Sequence, residues 1–173
     1  DTNKGKWYCL NTAISATDSK WIMVQDADDF AFPWKAKVQL RALRETNTLL
    51  NLVGYVPIQA NQAHTNIPQP DLHDVATIIG DEILQHAHLS MTHPQIHHNF
   101  TGKYDVHNGA TMFHRYFHDI GVRFHPPGFG LRLTRSEDSD FNLRTTMLLG
   151  KTSWTPLPCY SYRLGSGHPE GSF

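Results

Sequence analysis

Cysteine is scarce: Cys9 and Cys159 are the only two in 173 residues. Two thiols are too few for a disulfide framework or a Cys-rich zinc site. Charge is scarce as well. Charged residues make up 18% of the chain and the formal net charge is −1, against about 25% charged in an average domain. No global field therefore draws in a polyanion or an anionic membrane. No run approaches the roughly 18 apolar residues of a membrane span, and no signal peptide is visible; on that basis the expectation is a cytoplasmic protein. Internal repeats and low-complexity tracts are also missing.

What is present is a foldable chain. Hydrophobic residues make up 39%, and disorder needs low hydrophobicity combined with high net charge. A chain of this size buries roughly 70% of its unfolded surface, enough for one core. Histidine is the odd abundance: twelve, eight of them between His64 and His107.

Periodicity divides the chain into alternating elements. Leu10, Ala13 and Ile14 share a face, which predicts a helix over 3–17, ended by Asp18-Ser19. Trp21–Val24 reads as a short buried strand that delivers the acidic turn Gln25–Asp29. Pro33 suits the first turn of a helix reaching about Thr46, and Leu49–Val56 reads as a strand. Residues 57–107, punctuated by four prolines, read as loops with one short helix near Asp81–His88. Gly109–Phe113 reads as a strand. Ser136 then caps a helix with Phe141/Leu148 and Leu143/Met147 on its apolar side, closed by Gly150. Leu157–Leu164 is a further strand and 165–173 a loose tail. This alternation argues for a layered α/β domain.

Three groups of residues could carry chemistry. Asp26 and Asp28 leave a strand end with one residue between them, so both can face one crevice. Two carboxylates in an open loop suit Mg²⁺ or Mn²⁺, which complete their shell with water and phosphate oxygens; a solvated acidic turn capping the next helix is the plainer alternative. Ser136–Asp140 places three carboxylates at a helix start. The dipole alone favours them there, and an Asp held in a cleft can also serve as a general base. The histidines supply pairs such as His86/His88 and His93/His97, but no carboxylate or cysteine completes a zinc pattern. They read as surface or acceptor-groove residues.

Taken in order, these pieces resemble the inverting family-two glycosyltransferases of GT-A fold. Asn3-x-Gly5 with Asn11, and Cys9 in a small-residue place, resembles that family's N-x-G helix. Asp26-Ala27-Asp28-Asp29, then Pro33, Lys37 and Gln39, resembles its D-A-D-D segment. Gly109–Arg115 with Gly121 is similar to its later apolar strand. Glu137-Asp138 through Arg144 and Gly150 is similar to its E-D-x-D helix, and Tyr162-Arg163 with His168 to its Y-R…H tail.

The resemblance implies a single GT-A-like (Rossmann-like) catalytic domain over 1–173, an α/β fold whose mixed sheet is flanked by helices. Residues 57–107 would be a variable acceptor-side insertion. It implies metal-dependent transfer of one sugar from a nucleotide diphosphate sugar, a UDP-sugar in the commonest case, to an acceptor hydroxyl. Asp28 would hold Mn²⁺ or Mg²⁺, Asp26 would sit against the ribose or the metal shell, and His168 would be a further metal or diphosphate contact. Asn3, Gly5, Asn11 and Arg163 would lie on the donor side. Asp138 would be the base, with Glu137, Phe129 and Gly130 on the acceptor side.

Two departures stand out. The family's first strands, with a P-x-x-N turn and a D-D-G-S strand end, are not in this sequence, so a further segment or a partner chain is expected to complete the sheet. The Q-x-x-R-W motif of processive synthases is also missing after Asp138, which favours one sugar per visit. Two other readings remain. One is a non-catalytic glycosyltransferase-like binding or assembly module. The other is a D-x-D phosphatase or phosphotransferase, against which Phe30 stands where Thr or Val is wanted.

Overall fold

A computed structural model describes residues 4–59, 89–92, 108–126, 137–149 and 151–164. Helix α1 spans Lys6–Ser15. Strand β1 (Trp21–Met23) leads into the acidic turn, and β2 (Phe30–Ala31) leaves it. Helix α2 (Lys35–Glu45) and strand β3 (Leu50–Gln59) follow. After β4 (Leu89–Thr92), a 3₁₀ turn at Asn108–Ala110 opens β5 (Thr111–His114) and the short α3 (Tyr116–Asp119). Helix α4 (Glu137–Leu149) and the long β6 (Lys151–Leu164) complete the described part.

The strands form one mixed sheet in the order β1-β5-β3-β6-β2, with β4 also paired to β6. Only β3 and β6 run parallel; the other pairs are antiparallel. The β3–β6 register slips around Gly54, where Thr155 and Pro158 pair with successive residues of β3. Pro156 and Pro158 cannot donate to a ladder, so an irregularity there is expected.

Helices flank the sheet, the arrangement expected of a GT-A-like fold. Phe32, Trp34, Val38, Val53, Ile58, Cys159 and Tyr160 form one buried cluster, between α2 and the β3–β6 pair. Ile14, Val24, Leu50, Phe113, Phe117, Phe124 and Phe141 form the other, under α1, α3 and α4. Helix α2 shows why it packs: Lys35, Val38, Gln39, Ala42 and Leu43 are buried, a stripe at i, i+3, i+4, i+7 and i+8. Asn47, at φ 49°, turns the chain out of it.

Several sequence expectations are corrected. Helix α1 ends at Ser15, before Asp18-Ser19. Strand β1 lies at the edge of the sheet rather than inside it. Its outer side has no strand partner among the described residues, and Met23 is exposed. Pro33 precedes α2, because the Lys35 amide first closes a turn onto the Phe32 carbonyl. The strand expected from Gly109 begins at Thr111. In α4, Phe141 and Leu143 are buried, but Met147 and Leu148 are more than half exposed. Their places on the inward face are taken by polar groups beside Phe141: Asn142 bonds Thr111 (3.2 Å) and Thr146 bonds Thr152 (2.8 Å). A polar strand surface selects a polar helix face when each group finds its partner. The expected helix at 81–88, the cap at Ser136 and the tail 165–173 lie outside the described residues. No described helix is long and apolar enough to cross a membrane.

Gly109 is the tightest point of the turn before β5. A Cβ there would stand 2.8 Å from the ring of the fully buried Tyr160 and 3.3 Å from the Asp29 carboxylate. Gly109→Ala should therefore cost about 1–3 kcal/mol by overpacking, measured by urea denaturation. In a Tyr160→Leu background the added cost should largely vanish; an equal cost in both backgrounds would contradict this packing.

Candidate active site

The acidic turn is pinned at its root by α2. The Lys35 ammonium is buried and donates to the Val24 carbonyl (3.0 Å) and to Gln25 Oε1 (2.9 Å). Burial pulls its pKa down to about 8. One helical turn on, Gln39 donates to the Ala110 carbonyl (3.0 Å). Lys37, named in the family-like pattern, is exposed; Lys35 and Gln39 are the buried pair.

At its far end the turn is tied to β6. Asp29 Oδ1 accepts the backbone N–H of Arg163 at 3.0 Å. Asp29 Oδ2 has no hydrogen-bond partner among the described residues. Burial pushes the Asp29 carboxyl up to about 6; the Arg163 amide opposes that, and Asp26 and Asp28 add to it by repulsion. Between these two anchors Asp28 is exposed and Asp26 half-buried.

Lys6 meets this turn from α1. Its ammonium pairs with Asp26 Oδ1 and lies 3.9 Å from Glu137 Oε1. Burial lowers its pKa, but Asp26 above all, then Asp138 and Glu137, outweigh that and hold it above the ordinary lysine value. One cation thus stands between the acidic turn and the start of α4. Asp138 itself is buried, and its Oδ1 accepts the Ser139 amide at 2.8 Å.

Residues 123–125 tie these two helices together. The Asn11 side chain donates to the Phe124 carbonyl (2.8 Å) and accepts the Phe124 amide (3.0 Å). Arg144 donates to the Arg123 carbonyl (2.6 Å) and to Asp140 Oδ2 (2.9 and 2.6 Å). The Phe124 ring stacks on Phe141 at 4.1 Å. His125 Nδ1 lies 3.8 Å from Asp140; burial first, then Arg144, lowers its pKa.

Of the residues expected from the sequence, Asp26, Glu137 and Asp138 gather around Lys6. Asp28 lies on the same turn, and Arg163 is bound to it through its backbone. Gly5, at φ 84°, caps α1 directly before Lys6. Asn11, expected on the donor side, bonds the Phe124 backbone through both polar atoms of its carboxamide. Asn3, Phe129, Gly130, His168 and the histidines between His64 and His107 lie outside the described residues.

The expectation from sequence omitted Lys6 and Asp29. A signal for Lys6 existed. A cation in the first turn of a helix opposes the helix dipole, and α1 has no acidic residue there to offset it. Such a residue needs partners from elsewhere in the fold. Asp29 was masked by its more conspicuous neighbours in the D-x-D pattern.

The turn carries three carboxylates in four residues, and Asp29 Oδ2 has no hydrogen-bond partner among the described residues. No set of three or more His, Cys, Asp or Glu side chains is grouped for a metal among the described residues. Asp26 and Asp28 could hold at most a hard ion of the kind that takes one or two protein carboxylates and fills its shell with phosphate and water.

Asp29 gives this electrostatic description a test. A carboxyl raised from 3.8 to about 6 holds more protons in the folded than in the unfolded chain between those values. Its stabilising contribution is full below about pH 4 and is lost as the pH rises through about 6. In chelator-treated protein, the urea midpoint of the parent chain should fall across that window relative to Asp29→Asn. Parallel curves would contradict the raised value.

Residues 1–121 match the family model described as glycosyl transferase family 2. The matched stretch holds α1, the acidic turn, α2 and the β3–β5 part of the sheet, and it ends before α4. No match is found among curated proteins. With well over half of its length matched, and the acidic turn inside the match, the chain belongs to glycosyl transferase family 2.

Proposed function

We propose that this chain transfers a single sugar, with inversion, from a nucleotide diphosphate sugar to an acceptor hydroxyl, using Mn²⁺ or Mg²⁺. A UDP-sugar is the donor class. The observation that carries this reading is the position of Lys6: one ammonium faces Asp26 on one side and Glu137 and Asp138 on the other. The acidic turn and the carboxylates at the start of α4, more than a hundred residues apart in sequence, therefore border one site.

The roles divide by position. Asp28, exposed on the turn, and Asp26 beside it would hold a divalent cation, and Asp26 also borders the ribose. Such an ion would supply positive charge for the departing diphosphate, so that one carboxylate of this chain suffices as base. Asp138 takes the proton of the acceptor hydroxyl as its oxygen attacks the anomeric carbon from the face opposite the diphosphate, which inverts the configuration. Its burial supports this role, since a base shielded from water keeps its lone pair for the acceptor. Glu137 borders the acceptor side, and Arg163 the donor side.

The acidic turn is rigid where it needs to be. Lys35 fixes its root and the Asp29–Arg163 bond fixes its end. Asp26 and Asp28 are thereby positioned between two anchored ends, and positioning of reacting groups is a large part of a transferase's advantage over solution.

Asp138→Asn should abolish sugar transfer, by about 10²-fold or more, while calorimetric binding of uridine diphosphate with Mn²⁺ survives. Asp28→Ala should abolish both the Mn²⁺-dependent binding and the transfer. Loss of nucleotide binding in Asp138→Asn, or unchanged transfer, would remove Asp138 from the base role. Uridine diphosphate binding that ignores both Mn²⁺ and Asp28→Ala would remove the acidic turn from the cation role.

A further inference from the structure

Lys6 has a feature that the transfer chemistry does not use. It is a long, flexible cation standing where a helix dipole disfavours one, and its ammonium covers Asp26. The Lys6 side chain is 41% exposed, whereas the Asp26 side chain is only 17% exposed. The cation is thus the more accessible member of the pair. A lysine ammonium is a compact point charge that can swing between partners, unlike the fixed fork of an arginine. A second partner lies within reach, since Glu137 Oε1 is 3.9 Å away with Asp138 beside it.

A divalent cation on the turn faces this ammonium directly. Both cannot hold the same Asp26 oxygen, and like charges a few ångströms apart repel strongly in a half-buried site. We propose that Lys6 is the resident counter-ion of the acidic site, occupying Asp26 when the site is empty and yielding it to the divalent cation, with Glu137 taking up the displaced ammonium. Lys6 is then a positioning residue. It keeps the turn and the start of α4 together before the donor arrives, and it sets how tightly the cation binds. This inference rests on the reading of Asp26 and Asp28 as cation-holding residues.

The test is titration of Mn²⁺ alone into the full chain, followed by calorimetry and by the electron paramagnetic resonance of free Mn²⁺. The parent chain, Lys6→Met, Lys6→Gln, Lys6→Arg and Asp28→Ala are compared. Both neutral variants should bind Mn²⁺ at least about fivefold more tightly than the parent, and the gain should shrink as salt is added. Lys6→Arg, which keeps the charge, should show no gain. A purely structural lysine would give the opposite sign, because loosening the site weakens metal binding. Unchanged or weaker Mn²⁺ binding in both neutral variants, with binding still lost in Asp28→Ala, would overturn the role of Lys6 and leave the cation site standing. Binding insensitive to Asp28→Ala would overturn the cation site, and this inference with it.

Discussion

The buried ammonium of Lys35 is the interaction on which the rest of this site depends. A lysine charge taken out of water is costly unless it is fully engaged. Here it is engaged by the last carbonyl of the strand region, Val24, by the Gln25 side chain and, at 5.3 Å, by the face of Tyr160. Gln39, on the same face of α2, bonds the Ala110 carbonyl where β5 begins. These two side chains do what a neighbouring strand does elsewhere in the sheet: they satisfy backbone groups where the ladders stop. The cost of burying them is offset only if α2, the end of β1 and the start of β5 stay in register. The acidic turn inherits that rigidity, and its far end is held again by Asp29 and Arg163.

A second constraint assembles the other half of the site. Residues 123–125 bond in sequence to α1 through Asn11 and to α4 through Arg144, while Phe124 stacks on Phe141. This short segment ties together two helices whose first turns carry opposite charge. One of them presents Lys6 and the other Glu137 and Asp138. The opposing charges then close the gap between them. Backbone-directed bonds fix where the helices sit, and electrostatics decides what their first turns do.

Much of this was legible in the sequence. The 3.6-residue periodicity of α1, the helix expected after Pro33 that became α2, the apolar segments that became β1, β3 and β5, and the D-A-D-D turn were all placed within a few residues. Legibility failed where a residue's fate depends on its partner. Trp21–Met23 has the composition of a buried strand, but its burial depends on what lies on its outer side. Met147 and Leu148 have the character of a core, yet the strands beneath α4 offer Thr111 and Thr152, so Asn142 and Thr146 face inward. Lys35 and Lys37 are indistinguishable by composition; only the phase of α2 puts one of them under Tyr160. The bonds of Asn11 to the Phe124 backbone were likewise invisible, because that partner lies 113 residues away. The candidate site followed the same rule. Carboxylates could be named from their pattern, whereas the lysine between them left only the weak signal of a cation in a first helical turn, and its partners became visible once the helices were packed.

The proposed transfer needs the acidic turn and the start of α4 to border one site. Nuclear magnetic resonance of the ¹⁵N-labelled chain, with substoichiometric Mn²⁺ and saturating uridine diphosphate, reads this out, because paramagnetic broadening falls steeply with distance. The amides of Asp26–Asp29 and of Glu137–Asp140 should broaden together, along with that of Lys6. Broadening confined to the turn, with the α4 amides left sharp, would contradict it.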